Sequence, residues 1–96
     1  MRYRFFNDYG ALWPFWGDGG LCADGDPRLP AGLEREVRDW SAQFERLFDW
    51  QYGWPDRATA EAHRAEGERL SREVQRALPD DTIVFRCWET SYRGAR

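Results

Sequence analysis

Seven of the fourteen residues from Tyr3 to Trp16 are aromatic: Tyr3, Phe5, Phe6, Tyr9, Trp13, Phe15 and Trp16. The run then breaks into a stretch rich in glycine and aspartate, GDGGLCADGDP. One short strand of a 96-residue chain cannot hide so many rings. A chain of this length buries roughly 60–65% of its unfolded surface, enough for one core and no second. Part of the aromatic set must therefore cover an irregular loop or be offered to a partner.

The rest of the chain sorts into elements by period. Residues 2–7, RYRFFN, alternate Tyr3 and Phe5 with Arg2 and Arg4 and read as a strand, which the turn chemistry of Asn7-Asp8-Tyr9-Gly10 stops. Residues 8–29 form a long aromatic loop, with a brief extended piece around Leu21–Ala23. Loops of this length in small domains carry function or are disordered, and the embedded rings argue against disorder. Leu33, Val37, Trp40, Phe44, Leu47 and Phe48 recur at helical spacing and predict a helix over 30–50, with Pro30 at its first position. A second helix, 56–78, opens on Asp56 as N-cap and closes before Pro79. Its inner face, Ala60, His63, Gly67, Leu70, Val74, Ala77 and Leu78, is thin and suits close approach to the bulky first helix. Thr82–Glu89 is the last strand, and Ile83, Phe85 and Cys87 share one face of it.

The expected architecture is a single α+β domain in the order β-α-α-β. Its sheet has two strands, or three if the long loop adds one, and packs on an antiparallel helix pair. Open edges on so small a sheet favour a partner or a second copy.

Charge narrows the partners. The net charge is −3, the pI is near 5.1, and all fourteen basic residues are arginine. Nucleic-acid binding needs a basic stripe, and Arg2 with Arg4 is the one small basic cluster, so no nucleic acid is expected. The N-terminus has no apolar leader segment and no run approaches a membrane span. Cys22 and Cys87 form no metal or redox pattern. These features lead to the expectation of a cytoplasmic protein with reduced cysteines and no membrane contact.

No residue pattern defends a catalytic centre. His63 is the sole histidine. It falls on the inner face of a helix without a nucleophile nearby, and a packed, hydrogen-bonded side chain is the favoured reading. Asp8, Asp18, Asp24 and Asp26 lack the alternating oxygen ligands and closing glutamate of a calcium loop, so they read as turn formers and no metal is expected. Gly17, Gly19 and Gly20 precede no lysine and make no phosphate loop, and no cofactor is implied. Gly67, inside a strong helix at a cost of about 1 kcal/mol, marks a close approach to the first helix or first strand. Trp13-Pro14 is a candidate cis bond, since an aromatic before proline favours that isomer.

The opening RFFNDYGALWPFWG, the pattern L-x-x-x-V-x-x-W-x-x-x-F and the late E-G-x-x-L-x-x-x-V-x-x-x-L resemble a group of short bacterial proteins from GC-rich genomes. The resemblance covers residues 2–88 and rests on Asp8, Tyr9, Gly10, Pro14, Trp16, Trp40, Phe44, Glu66 and Gly67. It implies no activity. In size, charge and style the chain also resembles immunity proteins of bacterial toxin systems. That likeness implies a non-enzymatic module that masks a protein partner, a basic toxin domain, through an aromatic and acidic loop. The contact residues expected are Asp8, Tyr9, Trp13, Phe15, Trp16 and Asp18, with Asp24 and Asp26 beside them; rings supply burial and carboxylates steer. Two alternatives stay open: a small-ligand protein or minor enzyme with a pocket around Asp8, Tyr9, Trp16 and His63, and a small homodimer.

Overall fold

Strand β1 is Arg2–Phe5, and its alternation decides the layering. In the computed structural model, which describes residues 1–94, Tyr3 and Phe5 are buried while Arg2 and Arg4 face away. Two further strands lie inside the expected loop: β2, Phe15–Gly17, and β3, Gly20–Leu21. Strand β2 runs antiparallel to β1, with Arg4 opposite Trp16 and Phe5 opposite Phe15. Asp18-Gly19 turns the chain into β3, where Gly20 takes a φ of 104°. After the helices, β4, Thr82–Phe85, returns parallel to β1 with Phe85 opposite Phe5. The sheet order is β3-β2-β1-β4, four strands where two or three were expected. The β1–β4 pairing is parallel because the connection crosses the sheet through both helices.

The helices are α1, Ala31–Leu47, and α2, Arg57–Ala77. Pro30 caps α1 without a side-chain bond, whereas the Asp56 carboxylate accepts from the Thr59 N–H at 2.7 Å and starts α2. Their pairing is antiparallel: Arg69 bonds Glu36, His63 stacks on Trp40, and Ala60 packs with Phe44. Gly67 sets the spacing of the layers. A Cβ there would lie 2.7 Å from both the Trp40 ring and the Phe85 ring. The close approach is thus to α1 and to the last strand, not the first.

One core cluster joins Tyr3, Phe5, Trp13, Phe15, Leu29, Val37, Trp40, Leu70 and Val74. A smaller one joins Phe44, Trp54 and Ala60 at the far end of the helix pair. Fully burying such a side chain contributes about 1.5–3 kcal/mol. Gln75 secures the return to β4: its amide donates to Leu78 O and Asp81 O and accepts from the Ile83 N–H. Among the described residues the cis peptide is Asp26–Pro27, so Trp13–Pro14 is trans. No helix among them is long and apolar enough to cross a membrane.

Candidate functional site

The end of β1 delivers Asn7 into the interior, and the segment after β4 delivers Glu89. Both meet His63 of α2, and the three residues are at most 1% exposed. The Asn7 Nδ2 group donates to Glu89 Oε2 at 2.6 Å and lies 2.9 Å from His63 Nε2. His63 Nδ1 is 3.0 Å from Gln43 Oε1 on α1. Burial pushes the Glu89 carboxyl up, but bonds from His63, Asn7, its own backbone N–H and Cys87 outweigh it and hold the group below its ordinary value.

Tryptophans enclose this node. The Trp40 ring stacks on His63 at 4.5 Å and 7°, and Trp54 covers it at 4.4 Å. Each indole N–H then finds a node residue's carbonyl: Trp40 bonds His63 O, Trp54 bonds Glu89 O, and Trp88 bonds Asn7 O. The node ties β1, both helices and the C-terminal segment together. The node is closed from solvent, and the one thiol beside it, Cys87, bonds to Glu89.

An aromatic patch lies beside the node. Tyr9 follows Asn7 by two residues, and Trp88 precedes Glu89. Their rings sit 5.8 Å apart, and Phe48 at the end of α1 is 5.6 Å from Trp88 and 6.4 Å from Tyr9. Phe44 forms the floor, 5.4 Å from Tyr9 and 5.6 Å from Trp88. Tyr9 is 51% exposed and Trp88 44%. Trp50 and Leu12, in the two loops that carry this patch, are exposed further still.

Carboxylates rim the rings. Asp8 accepts from the Tyr9 N–H, Glu45 from the Gly10 N–H, and Asp49 from the N–H groups of Gln51 and Tyr52. Partial burial, then Asp8, Asp49 and Glu45 in that order, raise the Tyr9 hydroxyl above its ordinary value. The rings and these three acids therefore share one electrostatic neighbourhood.

The residues expected to make contact separate into three places. Asp8 and Tyr9 belong to the patch. Trp13 and Phe15 are buried, at 3% and 0%, in the main core, with the Trp13 indole bonded to Asp26 O. Phe15 goes inside because β2 pairs with β1 and shares its inner face, and Trp13, just before β2, packs on the Phe15 ring at 5.0 Å. Trp16 points to the opposite sheet face, stacked on Phe6 at 4.8 Å and 6°, with exposed Asp18 in the hairpin turn beside it. Asp24 is held by Arg38 at 2.9 Å on the surface. The combination of Asp8, Tyr9, Trp16 and His63 encloses no common space, since Trp16 and His63 lie on opposite sides of the sheet. Phe48, read from the helical stripe, is half-buried against the second cluster, and Trp88, read on the strand face opposite Phe85, is exposed; that the two meet Tyr9 was not foreseen. Both cysteines are free. Burial and then Glu89 push the Cys87 thiol up to about 12, which leaves it unreactive near neutrality.

Fold and surface together define a small α+β domain with a half-exposed aromatic patch beside a closed polar node. Residues 1–87 match the model of the Serratia CdiI immunity protein-like family, and the chain belongs to that family. No curated protein matches it.

Proposed function

We propose that the protein is an immunity protein that binds and masks a toxin domain, with the patch of Tyr9, Phe48 and Trp88 as the centre of contact and Asp8, Glu45 and Asp49 as its rim. The observation that carries this reading is the aromatic cluster in which Tyr9 and Trp88 are exposed over half-buried Phe48, with three carboxylates beside it. Aromatic anchors supply most of the energy of such interfaces, and acidic rims speed encounter with a basic partner and select it. A standard interface takes about 800 Å² from each side, so the patch would fill its middle and Leu12 and Trp50 would extend it. The family likeness supports a protein partner. The free cysteines fit the reducing cytoplasm as the place of binding.

The test is titration calorimetry against a candidate basic toxin domain. Tyr9→Ala and Trp88→Ala each weaken binding by about 2 kcal/mol or more, and added salt slows association. Toxin binding undisturbed by both changes would sink the reading. So would light scattering that shows a dimer hiding the patch.

A further inference from the structure

The sheet face turned away from the helices is of opposite charge to the aromatic patch. Strand alternation puts Arg2 and Arg4 of β1 on this face, and Arg86, one step beyond β4, joins them. Pairing aligns Arg2 with Thr82 and Arg4 with Val84, and the Arg86 N–H bonds Phe5 O. The three arginines, Gly17 and Asp18 line one notch of about 310 Å³. Arg4 is oriented by a 2.9 Å bond from Nη2 to Gly17 O.

Five helical arginines differ from these, although Arg35, Arg46 and Arg72 on the same helices do not. Arg38, Arg57, Arg64, Arg69 and Arg76 each have a carboxylate within ion-pair distance. Among the described residues Arg2, Arg4 and Arg86, like Arg28, Arg35, Arg46, Arg72 and Arg93, have none, but these three come together in one notch, which Asp18 lines without forming a pair. In a chain of net charge −3, three converging guanidinium groups left unpaired form a local positive field that an anion would complete.

We propose that this face is a second docking surface, which takes an acidic segment of a protein partner by seating a carboxylate among Arg2, Arg4 and Arg86. The fork geometry of arginine matches carboxylate bidentately. Asp18 and the backbone of Gly17 offer acceptors for the peptide N–H groups that flank such a side chain. A nucleic-acid strand fits less well. One face of Trp16 is already covered by Phe6, which removes a stacking platform. Asp18 in the notch and Asp81 by the N-terminus oppose a continuous row of phosphates. The proposal shares with the immunity reading a protein partner, but it uses none of the aromatic patch.

The test is an NMR titration of the intact protein with a blocked peptide of alternating Glu and Gly, alongside inorganic phosphate and single-stranded oligothymidylate at equal salt. The peptide shifts the Arg2, Arg4 and Arg86 Nε–H signals and the Trp16 indole signal. Arg86→Gln alone weakens it severalfold, and Arg4→Gln with Arg86→Gln about tenfold or more, the loss expected for charge-assisted bonds. Tyr9→Ala leaves peptide binding within about twofold, because the two surfaces share no residue. Unmoved arginine signals would overturn the proposal, as would phosphate alone binding as tightly as the peptide or oligothymidylate binding more tightly. Peptide failure with toxin binding intact overturns this proposal and leaves the immunity reading standing. Peptide binding with toxin binding absent does the reverse.

Discussion

The two halves of the aromatic opening, DYGAL and WPFWG, meet opposite fates. In the first, Asp8–Leu12, Tyr9 and Leu12 stay exposed on a loop held by Asp8 and Glu45. In the second, Trp13–Gly17, Trp13 and Phe15 are buried. The difference is backbone pairing. From Pro14 onward the chain is bonded to β1, beginning with the Phe6 N–H to Pro14 O bond, and alternation then commits every second side chain to the core. Before Pro14 the chain is unpaired: Trp13 is buried by packing on Phe15 and a bond to Asp26 O, whereas the Tyr9 ring stays half exposed where the turn leaves it. Hydrophobicity alone does not decide exposure; where the backbone holds each ring against the core does.

The largest effects belong to the buried half. Phe15→Ala removes a ring stacked on Phe5 at 5.0 Å and costs about 3–5 kcal/mol in urea unfolding. Wild-type stability after that change would erase the distinction between the halves. Gly67→Leu drives a side chain into Trp40 and Phe85 and costs about 3 kcal/mol or more, read as a lost or strongly lowered melting transition.

The node that joins the halves has an intermediate effect and a pH signature. Glu89→Gln costs about 1–3 kcal/mol, since Asn7 and His63 keep a partner oxygen but lose its charge. The Glu89 carboxyl is held below its ordinary value of 4.5 in the folded state, so the unfolded chain binds more protons around that pH. Its stabilisation is therefore complete above about pH 5 and is lost as pH falls through the lower folded value. Asp24, Asp56 and Glu66 are lowered by their bonds to Arg38, Thr59 and Arg69 and act in the same direction. Glu89→Gln should shrink the acid loss of stability without abolishing it. An unchanged slope of stability between pH 5 and about pH 3 would refute a charged Glu89 in the node.

The smallest change in stability belongs to the exposed half. Tyr9→Ala should alter unfolding by about 0.5–1 kcal/mol, while it costs toxin affinity far more. A large loss of stability from Tyr9→Ala would show that the ring is a structural plug, and the comparison between the halves would fail.

Helical periodicity located both helices and most of their buried faces, because a period near 3.6 is a local signal that survives any tertiary arrangement. Asp56 announced its helix start by the same local logic. Strands β2 and β3, three and two residues long, carry no period of their own and exist through pairing with β1. The node was hidden for a related reason. Asn7 reads as a turn residue and Glu89 as a solvated strand end, and their 82-position separation has no sequence signature. The patch was half legible: Asp8 and Tyr9 stood out, but Phe48 and Trp88 joined them only when α1 ended beside the C-terminal segment.

By itself the sequence determined an α+β domain with two amphipathic helices, an acidic balance, and more aromatic rings near its start than one strand could cover. Those properties depend on residue type and on spacing along the chain. The tertiary structure decided which rings became core and which became surface, and it gathered Arg86 to Arg2 and Arg4. Such choices depend on hydrogen bonds and contacts between residues far apart in sequence, whose entropy cost is met only when the whole sheet and helix pair assemble together.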